Sequence, residues 1–179
     1  SGTTLLFSGT QLLTVGAGGG GSPIPIPVTF SGPGGQVAAL TLAPRDTTIS
    51  AGGSFAYTVT AQDSQQAPVA QFYTTWSSSS AAVTIDGAGV VTAGAGRATV
   101  TITAVTPSGA RDSTTLTVVP PATQLVIISG DNQSASILSP LPLPLVVEVR
   151  AADGLPVAGA TVTFAALSGG GSVDSATVT

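Results

Sequence analysis

Ala98-Thr99-Val100-Thr101-Ile102-Thr103-Ala104, followed after the turn Pro107-Ser108-Gly109 by Thr115-Leu116-Thr117-Val118, decides the fold class of this chain. Small or apolar residues alternate with threonine. Successive strand side chains point to opposite faces, so this pattern marks strands with one face buried and one wet. Threonine is β-branched and suits the outer, pleated surface. Upstream, Leu40 and Leu42 repeat the pattern, and Phe55, Tyr57 and Val59 alternate with Ala56, Thr58 and Thr60. Turn residues separate these stretches at Ala51-Gly52-Gly53, Asp86-Gly87 and Gly94-Ala95-Gly96. No stretch sustains a helical period. Short strands at this spacing predict an all-β sandwich.

Three regions follow. Residues 1–36 read as an extended segment with a linker. They hold Leu5-Leu6-Phe7 and Leu12-Leu13-Thr14-Val15, then Gly16 to Ser22, then Pro23-Ile24-Pro25-Ile26-Pro27-Val28. The glycine run is a linker by composition. It lacks the Lys and the following helix of a phosphate loop. Alternating prolines force an extended chain that suits a sheet edge and not its middle. Residues 37–120 read as one sandwich. Pro120-Pro121 reads as a stiff joint. Residues 121–179 begin another sandwich: a strand at Leu125–Ile128, alternation at Leu145, Val147 and Val149, a turn at Asp153-Gly154, and alternation at Val162, Phe164 and Ala166.

Composition narrows function. Of 179 residues only 7% are charged and the net charge is −4, against about 25% charged in ordinary domains. The basic residues are Arg45, Arg97, Arg111 and Arg150, too few and too scattered for a nucleic-acid surface. His, Cys and Lys are absent. That removes zinc sites, Ser–His or Cys–His catalysis, Schiff-base chemistry and disulfides. The apolar stretch Leu138–Val149 is interrupted by Pro140, Pro142, Pro144 and Glu148, and falls short of the roughly 20 residues a spanning helix needs. Ser1 in place of an initiator Met reads as a processed start, with a secretion signal upstream. Scarce charge leaves sheet edges unguarded. Either the edges are covered in an assembly, or the Ser/Thr faces carry glycans, or the scarcity is a habit of composition.

Residues Val37–Val119 resemble the group 2 bacterial immunoglobulin-like domain. The motifs are Thr41-Leu42-Ala43-Pro44, Ile49-Ser50-Ala51-Gly52, Thr75-Trp76-Ser77-Ser78, Gly89-Val90-Val91-Thr92-Ala93 and Gly96-Arg97-Ala98-Thr99-Val100-Thr101-Ile102. Residues Ala122–Thr179 resemble the group 1, invasin-like domain. They do so through Leu125 to Ser134, Pro144 to Val149, Gly154 to Phe164, and Ser168-Gly169-Gly170-Gly171-Ser172-Val173. A family member would continue into further strands. Residues 1–36 match neither pattern. The resemblance implies tandem immunoglobulin-like β-sandwiches with antiparallel Greek-key sheets, preceded by an extended N-terminal segment. It also implies an extracellular, non-enzymatic role in a surface stalk or filament, and supplies no catalytic residue.

Individual residues have competing readings. Trp76 is a sugar-stacking platform or the aromatic of the core, and the resemblance favours the core. Asp86, Asp131 and Asp153 are turn formers or calcium ligands, and Asp-Gly turns need no metal. Glu148 and Arg150, two apart on a strand, read as a surface charge pair. Glu148 has no acidic mate for glycoside hydrolysis. Asn132-Gln133-Ser134 fits a glycosylation sequon, and O-linked sugars on Ser and Thr are an equal alternative. No catalytic, metal or cofactor site is expected. The expected partners are copies of this chain or neighbouring immunoglobulin-like modules, joined through sheet edges, with no nucleic acid and no membrane insertion. In one form of this reading, Thr3–Val15 of one chain fills the open sandwich of another by strand addition. The alternative function is an adhesin-type module that binds a glycan or host receptor through its loops.

Overall fold

The computed structural model describes residues 7–9 and 25–179. Among the described residues every regular element is a strand. The segments Leu12–Val15 and Gly16–Ser22 lie outside them, as does Thr3–Val15 apart from its central residues. Strand β1 (Phe7–Ser8) pairs antiparallel with β2 (Thr29–Phe30) of the same chain, Phe7 opposite Phe30.

The alternating stretches build a two-sheet sandwich. Its strands are β3 (Ala39–Ala43), β4 (Thr47–Ser50), β5 (Ser54–Ala56), β6 (Thr58–Gln62), β7 (Thr75–Ser78), β8 (Val83–Ile85), β9 (Val90–Ala93), β10 (Ala98–Val105) and β11 (Arg111–Val119). One sheet runs β4-β11-β10-β7. The opposing layer is β3-β6 and β5-β9-β8. Strands β5 and β6 are one stretch of chain interrupted at Tyr57, whose N–H donates to the Gly89 carbonyl at 2.9 Å. The first half pairs with β9 and the second with β3. The first strand likewise serves both layers, since β3 lies on one and β4 on the other. This is immunoglobulin topology, with seven strand positions in two sheets and an edge strand that changes sheet. One detail departs from the expected antiparallel pattern: β4 runs parallel to β11, Leu116 opposite Thr47. A chain that crosses from one layer to the other without reversing must meet its new neighbour in that sense.

The core lies where the alternation puts it. Val91, Ile102, Ala104, Leu116 and Val118 are fully buried, while Thr99 and Thr101 are exposed. Two clusters fill the interior, one around Val83, Val91, Val100, Ile102, Leu116 and Val118, the other around Leu40, Leu42, Ala61 and Ala104. Trp76 packs against both, so the core reading of this residue holds. Its ring stacks on Tyr57 at 6.3 Å between centroids, and Phe55 meets Tyr57 at 4.8 Å. Such pairs add roughly 0.5–1.5 kcal/mol beyond the area they bury. Gly89 permits this packing. Its φ is +81°, and a β-carbon there would sit 2.7 Å from Trp76 Cζ2.

The crossover from β3 to β4 is tied down by β11. Asp112 Oδ2 accepts the Leu42 N–H at 2.9 Å and also pairs with Arg45 Nη2. Arg45 Nη1 donates to the Ser113 carbonyl at 2.9 Å, and the Asp46 N–H donates to Thr114 Oγ1 at 3.0 Å. Partial desolvation pushes the Asp112 carboxyl up. The amides of Leu42 and Ser113 and the Arg45 guanidinium outweigh it, so the carboxyl titrates below its ordinary range.

Candidate functional site

Past Pro120 the chain forms two further pairs. Strand β12 (Ala122–Ser129) pairs with β13 (Val146–Ala151), and β14 (Val162–Thr163) with β15 (Thr177–Val178), both antiparallel. Neither pair joins the sheets of the sandwich. Register sorts their faces. Leu125 stands opposite Val149 and Ile127 opposite Val147, so these four share one face. Gln124 opposite Arg150 and Val126 opposite Glu148 share the other. The second face carries the expected charge pair, since Arg150 Nε donates to Glu148 Oε1.

The first face is apolar, half-buried at Val147 and Val149 and exposed along β12. Leu125 is 59% exposed and Ile127 60%. Leu143, Leu145, Val146 and Val178 are exposed as well. Of the aliphatic and aromatic residues past Pro120, Ala151 alone is buried. A shallow groove lined by Val147, Val149, Val157, Val162 and Val178 runs between the two strand pairs. The outer edge of β12 has no partner strand among the described residues. Its N–H and C=O groups are open to pairing along that edge. Fully burying a side chain the size of Leu or Ile yields roughly 1.5–3 kcal/mol, so covering Leu125 and Ile127 is strongly favoured.

Local chemistry holds the segment in this open form. Gln133 Nε2 donates to the Gly130 and Leu143 carbonyls at 2.6 and 2.9 Å, and Gln133 Oε1 accepts the Leu143 N–H at 2.7 Å. One side chain thus clips the long loop between β12 and β13. Gly130, at φ +84°, lies against the Pro144 carbonyl so closely that a β-carbon would reach it at 2.1 Å. Gln133 is the middle residue of the sequon, and its clip was not legible from the tripeptide.

The acidic residues singled out from sequence are dispersed. Asp86 accepts the N–H groups of Ala88 and Val90 through Oδ1, both at 2.9 Å, and so shapes its own turn. Asp131 Oδ2 accepts from Asn132 Nδ2 at 2.8 Å. Asp153 Oδ1 accepts the Leu155 N–H at 3.0 Å and Oδ2 takes Arg97 Nε at 2.9 Å. The Arg97 bond, with the Leu155 amide, holds the Asp153 carboxyl below its ordinary range. Among the described residues no three acidic side chains gather to hold a cation, and no helix is long and apolar enough to cross a membrane. Tyr57 Oη is buried with no hydrogen-bond partner in the described structure, and burial, then Asp46, pushes its pKa up.

No family model matches the chain, and no curated protein sequence matches it either. Among solved structures, surface layer protein SbsC, domains 1–6, superposes with a TM-score of 0.41 at 14% identity, over 71% of this chain and 18% of that one. The Escherichia coli adhesin FdeC gives a TM-score of 0.41 at 20% identity, over 68% of this chain and 43% of that one. SbsC domains 5–6 give 0.40 at 15% identity, over 79% and 81%. The chain therefore spans less than half the length of the first two. Superpositions this loose carry nothing about function.

Proposed function

We propose that this chain is a non-enzymatic structural protein of the bacterial cell surface, a pair of immunoglobulin-like modules in a stalk or self-assembling extracellular filament. The first module, 37–120, is of the group 2 kind and the second, 121–179, of the invasin-like kind, as their motifs suggest. The second accepts a β-strand from a neighbouring module or a second copy of the chain. One observation carries this reading: a sandwich with a filled core stands beside a strand pair whose apolar face is exposed along β12, at Leu125 and Ile127. An unpaired edge next to an uncovered apolar face is the arrangement that strand addition uses, backbone bonds giving affinity and side-chain pockets register. Thr3–Val15 is the proposed donor. Its central residues Phe7–Ser8 pair with Thr29–Phe30 of their own chain, so donation would require that short pairing to open.

The loop-binding alternative gains less support. Phe55, Tyr57 and Trp76 pack into the sandwich, and among the residues whose burial is described Tyr73 is the exposed aromatic, at 58%.

Electron microscopy and sedimentation of the full chain test the proposal against two variants, deletion of Thr3–Val15 and the double substitution Leu125→Lys, Ile127→Lys. The expected result is ordered polymers from the parent chain and their loss in both variants. Monodisperse parent protein at every concentration would overturn assembly through this face. Polymers that survive the deletion but not the lysines would overturn the donor and leave the acceptor.

A further inference from the structure

We propose that Arg97 pins the angle between the sandwich and the C-terminal segment, so that the two move as one body. The connection is short. Strand β11 ends at Val119 and β12 begins at Ala122, leaving only Pro120-Pro121 between them. Two prolines fix their own φ and restrict the residue before each, so Val119 and Pro120 have little backbone freedom. Pro120 is buried. The Val119 carbonyl accepts the Ala51 N–H at 2.9 Å, which ties the exit of β11 to the turn that follows β4. Backbone restriction alone leaves ψ of Pro121 and the strand ends free to swing, and modules sharing a small interface move by default.

Arg97 closes the gap. It lies immediately before β10, beside the point where the chain exits β11, since its neighbour Ala98 stands opposite Val118. Its Nε donates to Asp153 Oδ2 at 2.9 Å and its Nη2 to the Pro156 carbonyl at 3.3 Å. Both acceptors lie on the tight turn after β13. The Gly154 N–H donates to the Ala151 carbonyl at 2.9 Å, the Ala151 N–H to the Leu155 carbonyl at 3.0 Å, and Asp153 Oδ1 takes the Leu155 N–H. The acceptor is therefore rigid before Arg97 reaches it. A planar guanidinium that grips two acceptors fixes direction as well as distance, which Lys would not do. The pair is partly exposed, 28% at Arg97 and 30% at Asp153. Such pairs add little to folding stability. Here the consequence is orientation. The inference concerns the joint alone, and holds whether or not the chain assembles into a filament.

The chain has no cysteine, so one label pair can be placed cleanly. Thr84→Cys and Thr163→Cys put spin labels on exposed positions of the sandwich and of β14. Pulsed electron resonance should give one narrow distance peak for the parent chain. Arg97→Ala and Asp153→Ala should each lose that peak to a broad distribution, with the sandwich's melting temperature unchanged. Arg97→Asp combined with Asp153→Arg should regain a single narrow peak. A peak equally narrow in parent and Arg97→Ala would show that the prolines suffice and would overturn the proposal. A broad distribution in the parent would overturn it as well.

Discussion

The sandwich formed by β3 to β11 and the strand pairs formed by β12 to β15 are written in the same alphabet, and only one of them is closed. Ile102 and Leu116 have no exposed surface, whereas Ile127, in a strand of the same length as β10, is 60% exposed. Both strands satisfy their local rules. The difference is whether an opposing layer exists, because a sheet face is buried only when another element lies on it. Alternation is therefore a statement about what a strand can bury and not about what covers it.

The sharpest way to break this contrast is to truncate matched residues on both sides. Leu116→Ala should lower unfolding stability by about 2–5 kcal/mol, the range for large-to-small changes in a filled core. Ile127→Ala should change the stability of the isolated chain by about 0.5 kcal/mol or less. Chemical denaturation measures both, and a similar loss at the two sites would remove the distinction.

Glycines give a second comparison. Gly89 and Gly154 both have positive φ, +81° and +77°. A β-carbon at Gly154 meets nothing within 4 Å, while at Gly89 it meets Trp76 at 2.7 Å. Gly154→Ala should cost the conformational penalty alone, roughly 1–2 kcal/mol. Gly89→Ala should cost that plus roughly 1–3 kcal/mol of crowding. Thermal melts of the two variants separate the contributions, and the near-ultraviolet signal of Trp76 should change only in the second.

The strand switch that closes the sandwich rests on Asp112, for which the C-terminal segment has no counterpart. Asp112→Ala leaves the Leu42 N–H and Arg45 without their acceptor and should cost about 1–3 kcal/mol near neutral pH. The sign with pH follows from a carboxyl held below its ordinary value. Its contribution is complete above the unfolded value of about 3.9 and is lost as pH falls through the lower folded one. Stability of the parent chain should therefore decline more steeply below about pH 4 than that of Asp112→Ala. Parallel acid limbs in denaturant titrations would contradict the assignment.

The smallest effect is expected inside the core itself. Tyr57 Oη is buried without a partner. Tyr57→Phe removes an unmet polar group and should leave the protein unchanged or more stable by about 1 kcal/mol. A clear loss would mean that the hydroxyl is satisfied in solution.

These contrasts also mark what the sequence could reveal. Alternation located the buried sets Leu40 with Leu42, Val100 with Ile102 and Ala104, and Leu116 with Val118, because burial follows period two. The Pro107-Ser108-Gly109, Asp86-Gly87 and Asp153-Gly154 turns were legible for the same local reason. Partnership was not. The interruption at Tyr57, the parallel seat of β4 against β11 and the Asp112–Arg45 tie depend on residues 67 or more positions apart or on a change of layer. Val162, Phe164 and Ala166 alternate as a strand should, yet the strand covers only Val162–Thr163. The motif Gly96-Arg97-Ala98 drew attention as a family pattern, while the contact that gives Arg97 its role lies 56 residues away at Asp153. In the proposed site, the apolar character of Leu125 and Ile127 could be read directly. Their exposure could not, because it depends on an opposing layer, and among the described residues none lies on β12.

Native-state hydrogen exchange resolved by residue tests the central contrast most directly. Amides of β10 and β11, bonded between neighbours on both sides and over a filled core, should exchange only through global unfolding. Amides of β12 should exchange at least about a hundredfold faster, a free-energy gap of about 2.8 kcal/mol, and should slow when polymers form. Equal protection of β11 and β12 in the monomeric chain would contradict the account, since it would mean that the C-terminal segment is already closed.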